Sequence, residues 1–553
     1  MGVGSVETGK DRDVVQRHRG LIRRTALVSF LTLVSRILGF VREVVMAKIF
    51  GDTSLISDAF FTAWRLPNLF RRLFGEGALS TSLQTTLTET DADHGTEAGR
   101  HLFVRTIVAA SIALSVFCVV SMFAVAALPD RMPVTGWMWM GEDPAPVRDL
   151  CVRLFPYVLL VCVAALCGGA LQVRGHYSMP NAAPAVMNVV WIVGLLVTAA
   201  AFAGAQTDVA DVQWEMARWV AWAVMVGGVF QLVILVPALV SRGLLTRNAG
   251  VEAPAKSGSL RRVLWTSLPL ALGAAVYQVN VLVDGLMAEG LLRDGGPTAL
   301  YYANRIQQFP LALVATATVT ALFPLLKVHA HLGEESVVRD LHARAQLGIL
   351  FLALPAAVGL WVLAAPISEA LFLHGNYGMD GISRITSALR MLALALIPAG
   401  ASGFCGRTFI ALGDYRTPVR VSVVFLALNA ALNAVFVMGL DFDVEGLALA
   451  TAVASWGSFL WLYLLLRARL GKAMEIRVAF RRVACISGAS LVCGSAAYLM
   501  AYVVPVSKDS AWLAVVGGGT VGALAFFLAA HVLSLEEWIE FSRRLRGKLG
   551  RDA

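Results

Sequence analysis

Charged residues are scarce in this 553-residue chain: 15% are Asp, Glu, Lys or Arg, whereas 58% are hydrophobic. Such a composition is far more apolar than that of a soluble domain. The formal net charge of +9 would suggest nucleic-acid binding in a soluble protein. Here the basic residues lie in short segments between apolar runs, and no basic patch alternates with exposed aromatic residues. We therefore expect a polytopic membrane protein that does not bind nucleic acid.

Cysteine and catalytic signatures are also scarce. The seven cysteines lie in or beside apolar runs without CxxC spacing, so we expect buried thiols and neither a disulfide framework nor a zinc site. No HExxH, GxSxG or Walker-type motif occurs, and the nine histidines fall in tails, loops or the ends of predicted helices. A membrane-embedded glycosyl- or acyltransferase would need a catalytic acid or histidine at the membrane surface. The sequence therefore predicts a protein that is not an enzyme and has no cofactor.

Long apolar segments are abundant. Fourteen of them are long enough to cross about 30 Å of hydrocarbon. Basic residues cluster in alternate loops and acidic residues in the opposite ones, so the positive-inside rule places both termini in the cytoplasm. The predicted helices span 25–49, 57–88, 101–128, 147–172, 181–203, 214–241, 259–288, 297–328, 338–364, 383–412, 416–438, 444–468, 480–504 and 510–533.

An internal repeat organises these helices. The pattern GxYxxP occurs at 175–180 and again at 413–418, about 240 residues later, and Pro67 and Pro310 have nearly the same separation. A period of six helices gives both halves the same orientation in the membrane. The predicted organisation is a basic cytoplasmic tail (1–24), an N-lobe of helices 1–6 (25–241), a cytoplasmic linker (242–262), a C-lobe of helices 7–12 (263–468), and helices 13–14 with a basic C-terminal tail (469–553).

Charges inside the first predicted helix need an explanation. Arg36, Gly39 and Arg42 form an i, i+3, i+6 row. An arginine at mid-bilayer costs roughly 2.5–3.5 kcal/mol if it faces lipid. We therefore expect Arg36 and Arg42 to face a hydrated cavity. The alternative is that Arg36 pairs with Glu43 while Arg42 extends towards the membrane surface.

The second predicted helix adds further polar residues. Asn68 and Arg71 follow Pro67, which cannot donate a hydrogen bond to the carbonyl of Ala63 and so leaves an acceptor free. Asp58 precedes them in the same helix. Two roles for Asp58 stay open, the neutralisation of a neighbouring arginine and a gating contact.

Arg305, in the eighth predicted helix, is expected to point into the same space. Four arginines then face one or two acids, and guanidinium groups suit phosphate oxygens. The implied ligand carries a phosphate or diphosphate.

A second polar group belongs to three other predicted helices. Asp284 lies in the seventh helix, Asn429 and Asn433 are i, i+4 in the eleventh, and Thr451 lies in the twelfth. Their oxygen atoms are suited to hold Na⁺. The alternative is that the amides only join helices through hydrogen bonds.

Without a nucleotide site, coupling to Na⁺ or to the membrane potential is the expected energy source, since one charge moved through ~100 mV is worth about 2.3 kcal/mol.

Three stretches resemble a known family. SRILGFVRE (35–43), SDAFFTAWRLPNLFRRLFGEGALS (57–80) and ALYYANRIQQFP (299–310), with the six-plus-six-plus-two helix plan, are similar to the MurJ (MviN) family of lipid II flippases. This family belongs to the MOP superfamily, which includes MATE exporters. The resemblance implies an all-α membrane protein with two six-helix lobes in a MATE-like V around a cationic cavity. It also implies that the last two helices form a groove for the lipid tail.

The resemblance also implies a function. Lipid II, an undecaprenyl-diphosphate-linked disaccharide-pentapeptide, would be transferred by alternating access from the inner to the outer leaflet of the bacterial cytoplasmic membrane. Expected partners are lipid II, membrane lipids and other cell-wall synthesis proteins, and the chain is expected to be a monomer. The rival function is export of another polyprenyl-diphosphate-linked oligosaccharide. A drug exporter is disfavoured, because a cavity for cations should be rich in acids.

Carried over by position, the family's functional residues fall into three groups. The expected substrate-binding residues are Arg36, Arg42, Arg71, Arg305, Ser35 and Asn68. The expected gating or structural residues are Asp58, Gly39, Pro67 and Glu43. Asp284, Asn429, Asn433 and Thr451 look like a sodium site, although Asn433 replaces an acid. Asn304 and Gln308 replace acids on either side of Arg305, which leaves that arginine less neutralised than in many relatives.

Overall fold

The computed structural model describes residues 7–51, 55–73, 79–127, 144–205, 210–246, 260–471, 476–504, 510–539 and 542. Among these residues there are helices and short connections but no β-strand. The helices are α1 (Glu7–Phe50), α2 (Leu55–Phe70), α3 (Leu79–Ala127), α4 (Pro144–Leu154), α5 (Pro156–Val173), α6 (Ser178–Ala201), α7 (Ala210–Val233), α8 (Val236–Ser241), α9 (Leu260–Leu291), α10 (Gly296–His331), α11 (Glu335–Val362), α12 (Ala364–Phe372), α13 (Met379–Ala411), α14 (Arg416–Ala434), α15 (Val444–Leu470), α16 (Ile476–Tyr498) and α17 (Ala511–Val532).

The predicted helices correspond to most of these elements, with several differences. The predicted helix 147–172 is divided into α4 and α5, and 214–241 into α7 and α8. Within α3 the backbone leaves helical geometry at Gly95, with φ 82°. The predicted second helix, 57–88, is wrong at its end, because α2 ends at Phe70 and residues 79–88 begin α3. That stretch is polar yet helical, and the hydroxyl groups of Thr86 and Thr90 find acceptors within the helix by bonding to carbonyls four residues earlier. The predicted tail 1–24 is helical from Glu7 onward and continuous with the first predicted span.

Ten segments are long and apolar enough to cross a membrane in the described part of the chain. The helices outside this group are the first, second, seventh and eighth of the predicted spans, now α1, α2, α9 and α10. These four helices carry Arg36, Asp58, Asp284 and Arg305.

The described residues form two compact units. The first comprises those of Met1–Ile49, Thr62–Thr135 and Asp143–Leu282. Its central helix is α5, which packs against α3, α6 and α7. Of the most apolar stretch of the segment Ala145–Val173, 67% is buried, against 17–39% for the other spans of this unit. The unit is therefore built around α5.

The second unit includes the described residues of Phe50–Phe61 and Val283–Ala553. Its central helix is α13, which packs against α10, α11 and α15 and is 61% buried over its most apolar stretch. Helices α16 and α17 pair with each other, and α16 also packs against α11. The linker predicted at 242–262 lies largely outside the described residues, and the lobe boundaries stay a prediction.

The two GxYxxP motifs adopt the same turn. Gly175 follows α5 with φ 74°, and Gly413 follows α13 with φ 81°, a backbone region that glycine enters at little cost. The next N–H group bonds back to a carbonyl five residues earlier in both copies, at 2.8 Å for His176 and 2.9 Å for Asp414. This matched geometry, at the ends of the central helices of the two units, supports a duplication.

All seven cysteines are free thiols, and six of them are buried. Their predicted role as small buried side chains is confirmed.

Candidate functional site

The polar row of α1 lies opposite its apolar stripe. Phe30, Leu33 and Ile37 are exposed along one side of the helix. At 100° per residue, Arg36 and Arg42 point about 100–140° away from that side, on either side of the buried Gly39. Arg36 is exposed. The row that the sequence predicted is therefore separated from the apolar, lipid-compatible face.

Arg42 is buried in a polar network of the first unit. Its guanidinium pairs with the carboxylate of Glu43, and its Nη1 donates to Oδ1 of Asn188 at 3.1 Å. The guanidinium also lies over the ring of Trp191, 4.0 Å from the centroid. Asn188 Nδ2 in turn donates to the carbonyl of Ser35 at 3.1 Å, which ties α6 to α1. Arg42 is 6% exposed, so it does not extend to the surface as the alternative interpretation required.

Asn188 and Trp191 were missed by the sequence reasoning. Both lie on α6, in an apolar stretch that gave no polar signal except the single amide. Trp191 also packs edge-on against Trp64 of α2, with centroids 4.9 Å apart. An asparagine and a tryptophan one turn apart in an apolar helix could have indicated a buried polar contact. Their spacing does not identify Arg42 as the partner.

The end of α2 holds Arg71 and Asn68 together. Arg71 Nε and Nη2 both donate to Asn68 Oδ1, at 3.1 and 2.9 Å. Both residues are half-buried. The carbonyl of Ala63, left without its helical donor by Pro67, faces the thiol of Cys151 at 4.0 Å. The freed acceptor that the sequence predicted thus has a weak donor from α4.

Asp58 caps the N-terminus of α10. Its carboxylate accepts hydrogen bonds from the N–H of Gly295 at 2.5 Å, the N–H of Thr298 at 2.9 Å and the hydroxyl of Thr298 at 2.5 Å. Asp58 is 4% exposed. Among the described residues its hydrogen bonds come from the start of α10 and none comes from an arginine, which favours a contact between helices over the neutralising role.

Aromatic stacking lies beside this cap within the second unit. Phe61 stacks on Tyr301 with centroids 4.2 Å apart, and Tyr302 stacks on Phe372 at 4.5 Å. Arg305 follows one turn later on α10 and is half-buried. Arg305 belongs to the second unit, whereas Arg36, Arg42 and Arg71 belong to the first. That the four arginines share one cavity stays a prediction.

The carboxylate of Asp284 is hydrogen-bonded to the other three predicted sodium ligands. Its Oδ1 accepts hydrogen bonds from Nδ2 of Asn429 at 2.5 Å and of Asn433 at 2.8 Å, and its Oδ2 accepts one from the Thr451 hydroxyl at 3.3 Å. The structure therefore brings all four residues together from α9, α14 and α15. Oδ1 of Asn433 is buried and has no hydrogen-bond partner among the described residues.

His342 was misplaced by the sequence reasoning, which put every histidine in a tail, a loop or a helix end. It lies inside α11, is 6% exposed, and is hydrogen-bonded through Nδ1 to the Thr408 hydroxyl at 2.9 Å. Gln346, one turn later, donates to the carbonyl of Ala401 at 3.2 Å. His342 and Gln346 are four residues apart and so lie on the same face of α11. This spacing could have indicated a polar pair inside the helix.

The polar row of α1, the α2 residues from Asp58 to Arg71, and the part of α10 that follows its cap belong to the three stretches whose sequences carried the family resemblance. A model of the family described as lipid II flippase MurJ matches residues 46–513. The chain belongs to the lipid II flippase MurJ family. A curated relative from Rhizobium tropici, a probable lipid II flippase MurJ, is 30% identical over 488 residues, which cover 87% of each chain. Another, from Vibrio cholerae serotype O1, is 29% identical over 459 residues, 80% of this chain and 82% of the relative.

Solved structures show the same fold. A lipid II flippase MurJ in an inward closed conformation superposes with a TM-score of 0.71 at 20% identity, covering 92% of this chain and 98% of that one. An inward-facing MATE family multidrug transporter of the MOP superfamily gives 0.58 at 14% identity, covering 80% and 98%. The predicted all-α, multi-pass membrane fold of the MurJ and MATE type is therefore confirmed. The relatives are named as flippases and not as enzymes.

Proposed function

We propose that this protein flips lipid II from the inner to the outer leaflet of the bacterial cytoplasmic membrane by alternating access. The relatives named lipid II flippases support the substrate, and membership of the family supports the reaction. No bond is made or broken in such a step. The task of the protein is to carry a diphosphate and sugars across about 30 Å of hydrocarbon while the polyprenyl tail stays in lipid.

The observation that carries the proposal is the exposed Arg36 on α1, which contains the first predicted membrane span. The guanidinium lies away from the apolar stripe of α1 and is accessible to a ligand. An exposed cation at this depth is costly beside lipid and favourable beside an anion. Arg71 and Arg305, each half-buried, are the other arginines proposed to contact the diphosphate, with Asn68 orienting Arg71.

Arg42 has a different proposed role. Its partners Glu43, Asn188 and Trp191 already occupy its guanidinium. In this state it positions α1 against α6 and thereby holds Arg36 in place. A contact between Arg42 and the substrate would require the pair with Glu43 to open.

Asp58 is proposed to be the gate residue. Its carboxylate replaces the missing side-chain cap of α10, so the contact is favourable in the present state and absent in any state in which α2 and α10 separate. A contact that one state makes and another lacks is what a two-state transporter needs. Substrate binding would shift the balance between the two states.

Na⁺ coupling is a separate part of the proposal. The donor set fits the ion, because Asp284 supplies a carboxylate, Thr451 a hydroxyl oxygen, and Asn433 a buried amide oxygen without a partner. Bound there, Na⁺ would supply a positive charge that joins α9, α14 and α15. The hydrogen bonds that now join the amides to Asp284 are the competing arrangement.

The proposed setting is the cytoplasmic membrane with both termini inside, as the distribution of basic residues indicates. The proposed partners are lipid II and membrane lipids, with other cell-wall synthesis proteins as further candidates, and the proposed state is a monomer.

The test is depletion of the protein in its host, followed by measurement of lipid II exposed on the outer leaflet. We expect exposure to fall, with restoration by the wild-type gene and not by Arg36→Ala, Arg71→Ala or Arg305→Ala at matched protein levels. Normal exposure after depletion in cells without another flippase would refute the proposal. Accumulation of a different polyprenyl-diphosphate oligosaccharide, with lipid II unaffected, would support the rival export function instead.

A further inference from the structure

A cavity of about 530 Å³ lies within the second unit, between α11, α13, α15 and α16. Its walls are mostly apolar, but Arg339 of α11 and Arg467 of α15 line it. Arg339 lies near the beginning of α11 and Arg467 near the end of α15, so both arginines mark the same end of the cavity. Among the described residues no acid lines the cavity, and the carboxylate of Asp340, outside the lining, accepts from Arg339 Nε at 3.3 Å.

The length of the cavity also matches a lipid in one leaflet. The cavity follows α11 from Arg339 to Leu350, which is about 17 Å at 1.5 Å per residue. That length is about half of the ~30 Å hydrocarbon core, the depth of a single leaflet. Below the arginines, His342 and Gln346 present polar groups at the cavity wall, and the lining then becomes apolar.

A second cavity continues beyond Ile397 and Trp456, which line both. Its volume is about 730 Å³, and the described residues that line it carry no charge. The two cavities therefore differ in chemistry. The 530 Å³ cavity, which ends at Arg339 and Arg467, is the one suited to an anionic headgroup.

We propose that the 530 Å³ cavity binds one anionic glycerophospholipid, with its phosphate between Arg339 and Arg467 and an acyl chain between α11 and α16. The polar groups of His342 and Gln346 lie at the depth of the glycerol esters, and the acyl chain adds to the direct packing of α16 against α11. The lipid comes from the leaflet at this end, which is cytoplasmic in the orientation proposed above. This site is separate from the arginines assigned to lipid II and does not depend on that assignment.

The test uses the purified full-length protein and native mass spectrometry to count retained lipids. Phosphatidylglycerol is compared with phosphatidylcholine of the same acyl chains, with inorganic phosphate and with undecaprenyl phosphate. We expect phosphatidylglycerol to be retained in preference to phosphatidylcholine, to raise the melting temperature, and to survive competition by undecaprenyl phosphate. The double variant Arg339→Gln, Arg467→Gln should lower its apparent affinity at least about tenfold, since two charge-assisted contacts are lost.

Two matched variants separate this site from general effects. Arg469→Gln removes a charge from the same end of α15 without touching the cavity lining and should retain the lipid. Ala343→Trp fills the cavity and should exclude the lipid, whereas Ala468→Trp, on the exposed side of α15, should not. Equal retention of phosphatidylcholine, no effect of the double variant, the same stabilisation by inorganic phosphate alone, or displacement by undecaprenyl phosphate would each overturn the proposal. Lipid II transport, measured separately, decides the proposed function and not this site.

Discussion

The carboxylate of Asp58 accepts two hydrogen bonds from Thr298, one from its N–H at 2.9 Å and one from its hydroxyl at 2.5 Å, across 240 residues of sequence. A helix N-terminus leaves several N–H groups without partners. The residue at the N-cap of α10 is Gly295, with φ 84° and no side chain to accept them. Asp58 of α2 therefore supplies the cap that α10 cannot supply for itself.

We expect Asp58→Ala to destabilise the start of α10. Loss of a capping side chain costs about 0.5–2 kcal/mol. The melting temperature should fall, and amide hydrogen exchange at Gly295 and Thr298 should become faster than in the wild type. The measurement is exchange mass spectrometry on peptides that cover 290–305.

The matched control is Asp58→Asn, because an asparagine oxygen also caps a helix. It should protect the amides of α10 better than alanine does. Equal exchange in wild type and Asp58→Ala would show that the cap contributes nothing to α10, and the proposed gate would then lose its structural basis.

Most of the helices could be predicted from the sequence, since they follow from local composition and spacing. The functional roles of the polar residues stay predictions. The sequence identified Asp58, but it could not identify Thr298, because the contact depends on how two distant helices pack. The same limit applies to Arg42, whose partner Trp191 lies in a helix with almost no polar signal. The end of the second predicted helix was wrong because the prediction ran through Gly75 and Gly77, residues that weaken a helix, whereas α2 ends at Phe70.

Arg36 and Arg42 should respond differently to removal. We expect Arg36→Ala to reduce lipid II transport by about tenfold or more while the melting temperature stays within a degree or two of wild type, because Arg36 is exposed and surface substitutions change stability little. Transport is measured in proteoliposomes that contain labelled lipid II. Val41→Ala, on the exposed apolar side of α1, is the control. Undiminished transport by Arg36→Ala would remove Arg36 from the substrate site.

Arg42→Ala should instead lower stability. Removal of one partner of a buried ion pair costs about 3–5 kcal/mol, because the remaining charge stays buried after its ion-pair partner is lost. Glu43 is 1% exposed, so the variant leaves its carboxylate in that position. Adding Glu43→Gln to Arg42→Ala should recover part of the loss, as measured by melting temperature. A double variant no more stable than Arg42→Ala would show that the two side chains are not coupled.

The polar group around Asp284 can be tested with sodium itself. We expect NaCl, compared with choline chloride at equal ionic strength, to raise the melting temperature of the wild type and not of Asp284→Ala. Asn433→Asp should increase the effect, because a second carboxylate adds charge to the oxygen ligands. Without Na⁺ the same variant should be less stable than the wild type, since two carboxylates then repel each other. Identical salt responses in all three proteins would favour the hydrogen-bonded arrangement and rule out a sodium site here.

Asp414, in the second GxYxxP turn, should make stability depend on pH. Its carboxylate accepts hydrogen bonds from the Thr417 hydroxyl at 2.6 Å and from the N–H groups of Thr417 and Arg416 at 3.0 Å, which lowers the pKa of Asp414 below its ordinary value of 3.8. Because the folded-state pKa is the lower one, the stabilisation is complete above the ordinary pKa and is lost as the pH falls through the folded-state pKa. Asp414→Asn retains a capping oxygen but cannot titrate. The difference in melting temperature between wild type and Asp414→Asn should therefore be constant above about pH 5 and shrink towards about pH 3. A difference that does not change over this range would show that the turn does not hold the carboxylate in its charged form.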